Sequence, residues 1–170
     1  MASKENQESV EWFNDTLDEV TKDRRNTYQK RVRPSVGSMY LYIYDPKTKD
    51  KLPIWDTCPL VFPMEFYDDG FLGLNMHYLT PLARKKLLDS LKNLLLNNDK
   101  YNSTTKLENL SYMVLKEYGN YFYKYQACIK RYLYGHVRSS FFLIHPSQWD
   151  KVIMLPLARW EINSKVNKYP

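Results

Sequence analysis

Residues 58–80 read CPLVFPMEFYDDGFLGLNMHYLT, and this stretch leaves the backbone few options. Two apolar runs flank Asp68-Asp69-Gly70. Asp-Gly between such runs is among the strongest short hairpin signals, because glycine takes positive φ at no steric cost. The spacing predicts strand, tight turn and returning strand. Pro59 and Pro63 cannot donate to a ladder, so the first strand is expected at a sheet edge or interrupted. Gly73 inside the second predicts a bulge or a close backbone approach. Thr80 then caps a helix whose first residue is Pro81, where the missing N–H is not needed.

The other elements follow from periodicity. SMYLYIYD predicts a strand over 38–45. A helix over 81–96 puts Leu82, Leu88, Leu91 and Leu95 on one face, with the basic Arg84, Lys85, Lys86 and Lys92 elsewhere around it. A second helix over 105–118, ending before Gly119, carries Leu107, Leu110, Val114 and Leu115. A third over 123–135 carries Ala127, Ile129, Tyr132 and Leu133. SFFLIH predicts a strand over 140–145, and KVIMLP a last strand over 151–156. Strands in runs and helices in a run give an α+β fold: a small antiparallel sheet or partly open barrel of about five strands with three helices.

An N-terminal helical arm precedes this body. Acidic residues crowd positions 5–19 and basic ones 22–33, the polarity that suits a helix macrodipole. Val10, Phe13, Leu17 and Val20 form its apolar stripe, which docks on this chain or on a neighbour, and Pro34 and Gly37 end it. The expected organisation is an arm over 1–33, a globular α+β domain over 34–160 and a tail over 161–170.

Chemistry is sparse by comparison. Cys58 and Cys128 are far apart and lack the cationic setting that activates a thiol. His77, His136 and His145 form no metal-ligand spacing. Glycine-rich phosphate loops and the GxSxG elbow are absent. No catalytic residue, metal, cofactor or small-molecule substrate is therefore assigned. No apolar run reaches the ~20 residues of a bilayer span, so no membrane partner is expected. A metal-dependent nuclease using Asp56, Glu65 and Lys51 is the enzymatic alternative.

The positive signal is basic and aromatic. The net charge is +6, and 15 tyrosines exceed 7 Phe and 4 Trp together. Tyrosine suits half-buried surfaces, and cations beside aromatics suit nucleic acid, where phosphates and base faces are both available. The candidate nucleic-acid contacts are Arg24, Arg25, Lys30, Arg31 and Arg33 in the basic segment, and Lys130, Arg131 and Arg138 in the tyrosine-rich one.

The tyrosine-rich strand, the run YDPKTKDKLP, the segment PLVFP and then DGFLGLNMHYL resemble a small protein of large contractile-tailed bacteriophages of the marine type. CIKRYLYGHVRSSF and the spacing WDxxxxLP belong to the same resemblance, which covers residues 37–156. It implies a non-enzymatic structural or assembly component of the virion, at the tail, baseplate or head-completion stage, docking on other virion proteins. A DNA-binding protein at packaged DNA ends is the alternative it implies. The expected location is the virion, and the host cytoplasm during assembly.

Overall fold

The hairpin expected from residues 58–80 forms and becomes the middle of the sheet. The computed structural model describes residues 3–23, 33–51, 54–96, 104–123, 128–155 and 161–162. Strand β1 (Met39–Leu41), β3 (Leu60–Tyr67), β4 (Gly70–Asn75), β5 (Ile129–Leu133) and β6 (Phe142–Ile144) make one antiparallel sheet in the order β5-β4-β3-β1-β6. Its two edges differ, so the sheet is open. A separate pair joins β2 (Ile54–Trp55) to β7 (Glu161–Ile162).

Four α-helices occur among the described residues: α1 (Lys4–Asp23), α2 (Pro81–Leu96), α3 (Thr104–Tyr123) and α4 (Trp149–Ile153). The fold is thus α+β with an N-terminal helix before an open five-stranded antiparallel sheet. None of the described helices is long and apolar enough to cross a membrane.

Individual elements refine the expectation. β3 lies at the centre of the sheet and is interrupted there, the second of the two arrangements expected from Pro59 and Pro63. Its register shifts between Pro63 and Glu65, so an irregularity absorbs the missing donor. The bulge expected at Gly73 is therefore on the opposite strand. Gly73 instead provides the close approach, since a Cβ there would lie 2.2 Å from Val61 Cγ1. The turn at Asp68-Asp69 forms, yet the positive φ among the described glycines falls at Gly37 (86°) and not at Gly70. Gly70 is required for another reason: a Cβ would come 1.9 Å from the Tyr132 carbonyl oxygen on β5.

Two segments change type. Of the helix expected over 123–135, residues 129–133 form strand β5 and 134–135 begin a 3-10 turn, while α3 runs on through Gly119 to Tyr123. Of the strand expected over 151–156, residues 151–153 are the end of α4 and Met154 follows as a turn, and residue 156 lies outside the described residues. That helix follows a turn at Pro146–Gln148, in which His145 accepts from the Ser147 N–H.

Two apolar layers cover the sheet. On one face Leu41, Leu60, Phe62, Leu74 and Met76 pack with Leu87, Leu88 and Leu91 of α2, Leu115 of α3, and Trp149 and Val152 of α4. The opposite face is an aromatic cluster of Tyr40, Tyr42, Tyr44, Phe71 and Tyr132 with Val137 and Phe141. Tyr42 meets Tyr132 and Phe141 edge-on at 5.7 and 4.8 Å, the arrangement ring quadrupoles favour.

Thr80 caps α2 as expected, accepting from the Ala83 N–H at 3.3 Å. Arg84, expected off the apolar face, is fully buried instead. Its Nε donates to the Met76 carbonyl, and its Nη1 donates to the carbonyls of Val152, Ile153 and Leu155. Burial lowers its pKa to about 10, so the side chain keeps its charge near neutrality.

The stripe of α1 lies against this same chain. Val20 is 1% exposed in the main core, and Phe13 and Leu17 pack on that core. Beyond the arm, Glu161 and Ile162 of the expected tail pair with β2. Residues 163–170 lie outside the described residues.

Candidate nucleic-acid interface

β5 is an edge strand, so its outer side is not covered by another strand of the sheet. Its register against β4 sets Lys130 opposite Gly73, Arg131 opposite Leu72 and Tyr132 opposite Phe71. Neighbours on a strand point to opposite faces. Tyr132 accordingly joins the aromatic cluster, while Ile129 packs on the core beneath the helices.

A cleft of about 480 Å³ opens beside this strand. Tyr44, Pro46, Lys47 and Thr48 form one wall, Lys130 to Leu133 another, and Trp55, Asp56, Asn75 and Tyr78 complete it. The Lys130 ammonium sits 4.7 Å from the centre of the Tyr78 ring, a cation–π contact. Burial holds the Lys130 amine below its ordinary pKa and the Tyr78 hydroxyl above its own.

The floor is a fixed polar network. Asn75, fully buried, donates from Nδ2 to Asp56 Oδ2 at 3.1 Å and to the Tyr132 hydroxyl at 3.0 Å. Its Oδ1 accepts from the His77 N–H. His77 Nδ1 lies 2.7 Å from Asp56 Oδ2, and the Cys58 N–H donates to Asp56 Oδ1. Burial opposes the charge on Asp56. The imidazole of His77 and the hydrogen bonds from His77, Asn75 and Cys58 outweigh it and hold the carboxyl below its ordinary pKa. Tyr44 also fixes the strand, its hydroxyl accepting from the Leu133 N–H at 3.1 Å.

The cations singled out in the sequence fall into four groups. Lys130 and Arg131 both line this cleft. Arg131 is also paired with Asp69 and lies 4.1 Å from the centre of the Tyr67 ring. Arg138 lines a neighbouring cleft with Asp45 and Lys49, and its Nη2 is 3.6 Å from Asp45 Oδ2. Tyr44 is common to the two clefts. Arg33 is exposed, and its charge acts on the Tyr134 hydroxyl at the end of β5. Arg24, Arg25, Lys30 and Arg31 lie outside the described residues.

A smaller cleft of about 180 Å³ lies under α1, lined by Val10, Phe13, Asn14 and Leu17 on one side and Asp56, Cys58, His77 and Leu155 on the other. Phe13 meets the His77 ring edge-on at 5.4 Å. Asp56 therefore forms part of both clefts. The apolar stripe of the arm brings its residues to this place on the chain itself, one of the two arrangements expected for it, with Val10, Phe13 and Leu17 half-buried.

The residues considered for nuclease chemistry are held in separate networks. Asp56 belongs to the floor described above. Glu65 accepts from the Tyr112 and Tyr67 hydroxyls, and Lys51 is exposed in the 45–51 turn. Among the described residues no group of three or more His, Cys, Asp or Glu could hold a metal ion. The Cys128 thiol is buried, and burial raises its pKa to about 11.

Sequence reasoning found Lys130, Arg131 and the neighbouring tyrosines but placed them on a helix. It singled out Asp56 for nuclease chemistry and did not single out Asn75 or Tyr78, so it missed their convergence. The signal was the continuous motif GLNMHYL, whose Asn75 and Tyr78 end β4 and its following turn.

The chain matches, over residues 1–170, the family model described as Phage T4 terminal DNA protecting protein. No curated protein and no solved structure matches it.

Proposed function

The chain belongs to the Phage T4 terminal DNA protecting protein family, and from that premise we propose that it binds the ends of phage DNA along the β5 edge. The supporting observation is the cleft at that edge, where Lys47, Lys130 and Arg131 meet Tyr44, Trp55 and Tyr78. Cations follow phosphates, and aromatic faces receive bases of any sequence. Sequence-independent binding is what protection of an end requires. On this reading the protein acts by occupancy and breaks no bond.

We place it in the virion at the head-completion stage, when packaged DNA ends are accessible, with other virion proteins as neighbours. Its likeness to proteins of marine contractile-tailed phages belongs to the same proposal. Co-purification with particles, and loss on removal of the packaged DNA, is the corresponding test of location.

The binding test compares linear duplexes with the same sequence sealed at both ends by hairpin loops, titrated at low salt by fluorescence anisotropy. Open ends are expected to bind more tightly. Lys130→Ala and Arg131→Ala should each weaken binding severalfold, since charge-assisted contacts to phosphate are among the stronger ones. Equal affinity for open and sealed DNA, or none for either, sinks the proposal.

A further inference from the structure

We propose that the β5-edge cleft receives one unpaired nucleotide at the DNA terminus, its base inside and its phosphate at the mouth. This deepens the end-binding reading and rests on it. Size is the first argument. About 480 Å³ falls within the range of about 300–1,000 Å³ typical of small-ligand sites. A base extruded from the stack occupies a site of that class, whereas a duplex end does not enter one.

Charge placement is the second argument, and it sets direction. Asp56 is the one carboxylate among the described lining residues, and its side chain is 9% exposed. A buried carboxylate rejects phosphate from the interior. Lys47 is exposed and Lys130 half-buried, so positive charge lies nearer the mouth. The third argument is rigidity. Asn75 has its two amide hydrogens and its oxygen engaged, which fixes the floor and leaves stacking against Trp55 and Tyr78 to hold the base. Recognition by stacking is sequence-tolerant.

Extruding a terminal base costs least when it is already unpaired. The experiment uses the full chain with duplexes sealed at one end and labelled in that loop. The open end carries either a G·C pair or a mismatch. The mismatched end is expected to bind about five- to tenfold more tightly than the paired end, by that saved unpairing cost. Trp55→Leu and Tyr78→Leu should abolish this ratio while retaining preference for open over sealed DNA, and Trp55→Tyr should restore much of it. Terminal 2-aminopurine gives a readout on the unaltered chain: its emission falls as it stacks in the cleft. Equal affinity for paired and mismatched ends, with both exceeding sealed DNA and no change in 2-aminopurine emission, overturns the nucleotide slot but leaves end binding intact. Loss of the open-over-sealed preference in the unaltered chain overturns the reading beneath it.

Discussion

Asp56 shows how a single side chain can serve as structure while facing two clefts. Four local interactions surround its carboxylate, and together they lower its pKa despite burial. A lowered folded-state pKa contributes stability that is present above the unfolded value and lost as pH falls through the folded one. Asp56→Asn should therefore cost about 1.5–3 kcal/mol at neutral pH, the range for hydrogen bonds to a charged group. The difference from wild type should shrink as pH drops below about 4, the ordinary carboxylate range. Urea midpoints measured from pH 7 to pH 2.5 read this directly. A difference that stays constant across that range means the carboxylate charge contributes nothing. Asp56 was visible in the sequence as a candidate for nuclease chemistry, not as part of this network. Its role depends on Asn75 and His77, 19 and 21 residues away, and no local pattern announces such a meeting.

Elements declared themselves unevenly. The start of α2 was legible because Thr80-Pro81 is a local chemical device that acts wherever it occurs. The β3–β4 turn was legible for the same reason. β5 was not. IKRYL mixes residues that suit either state, and a helical stripe could be drawn through Ile129, Tyr132 and Leu133. Pairing with β4 decides it, and pairing is non-local. Similarly, KVIM reads as a strand until Trp149 is buried against Phe62 at 5.3 Å and the segment closes into α4. Tertiary packing overrides propensity in both. Gly70 is the position on which the β4–β5 pairing turns. Gly70→Ala would drive a methyl group into the Tyr132 carbonyl, so β5 must shift. We expect a loss of about 1–3 kcal/mol, as for overpacking elsewhere, with the fastest rise in amide exchange in residues 129–133. Unchanged protection of that strand would show that β5 adapts without cost.

At the scale of the whole molecule, charge and fold address different matters. The net charge of +6 fits a polyanionic partner but does not specify the architecture. Affinity for DNA should fall linearly on a log–log plot against salt, with a slope reporting the phosphates neutralised. Lys130→Ala should reduce that slope by about 1. Arg138→Ala should change it less, because Arg138 lines the other cleft. Equal changes for both would spread the footprint across both clefts. The overall class was legible because strands and helices come in runs. The site was not, because its walls come from four stretches of chain, at 44–48, 55–56, 75–78 and 130–133.

Arg84 carries one more consequence, for the order in which the protein is completed. Its guanidinium lies beside the hairpin's last turn, but three of the carbonyls it holds belong to residues 152–155. A ribosome releases those acceptors only 68 to 71 residues after Arg84 itself. Until then a cation waits in the middle of a nascent core, and residues 152–155 are what neutralise its demand. Maturation of the interior is in this sense timed by the emergence of that short segment.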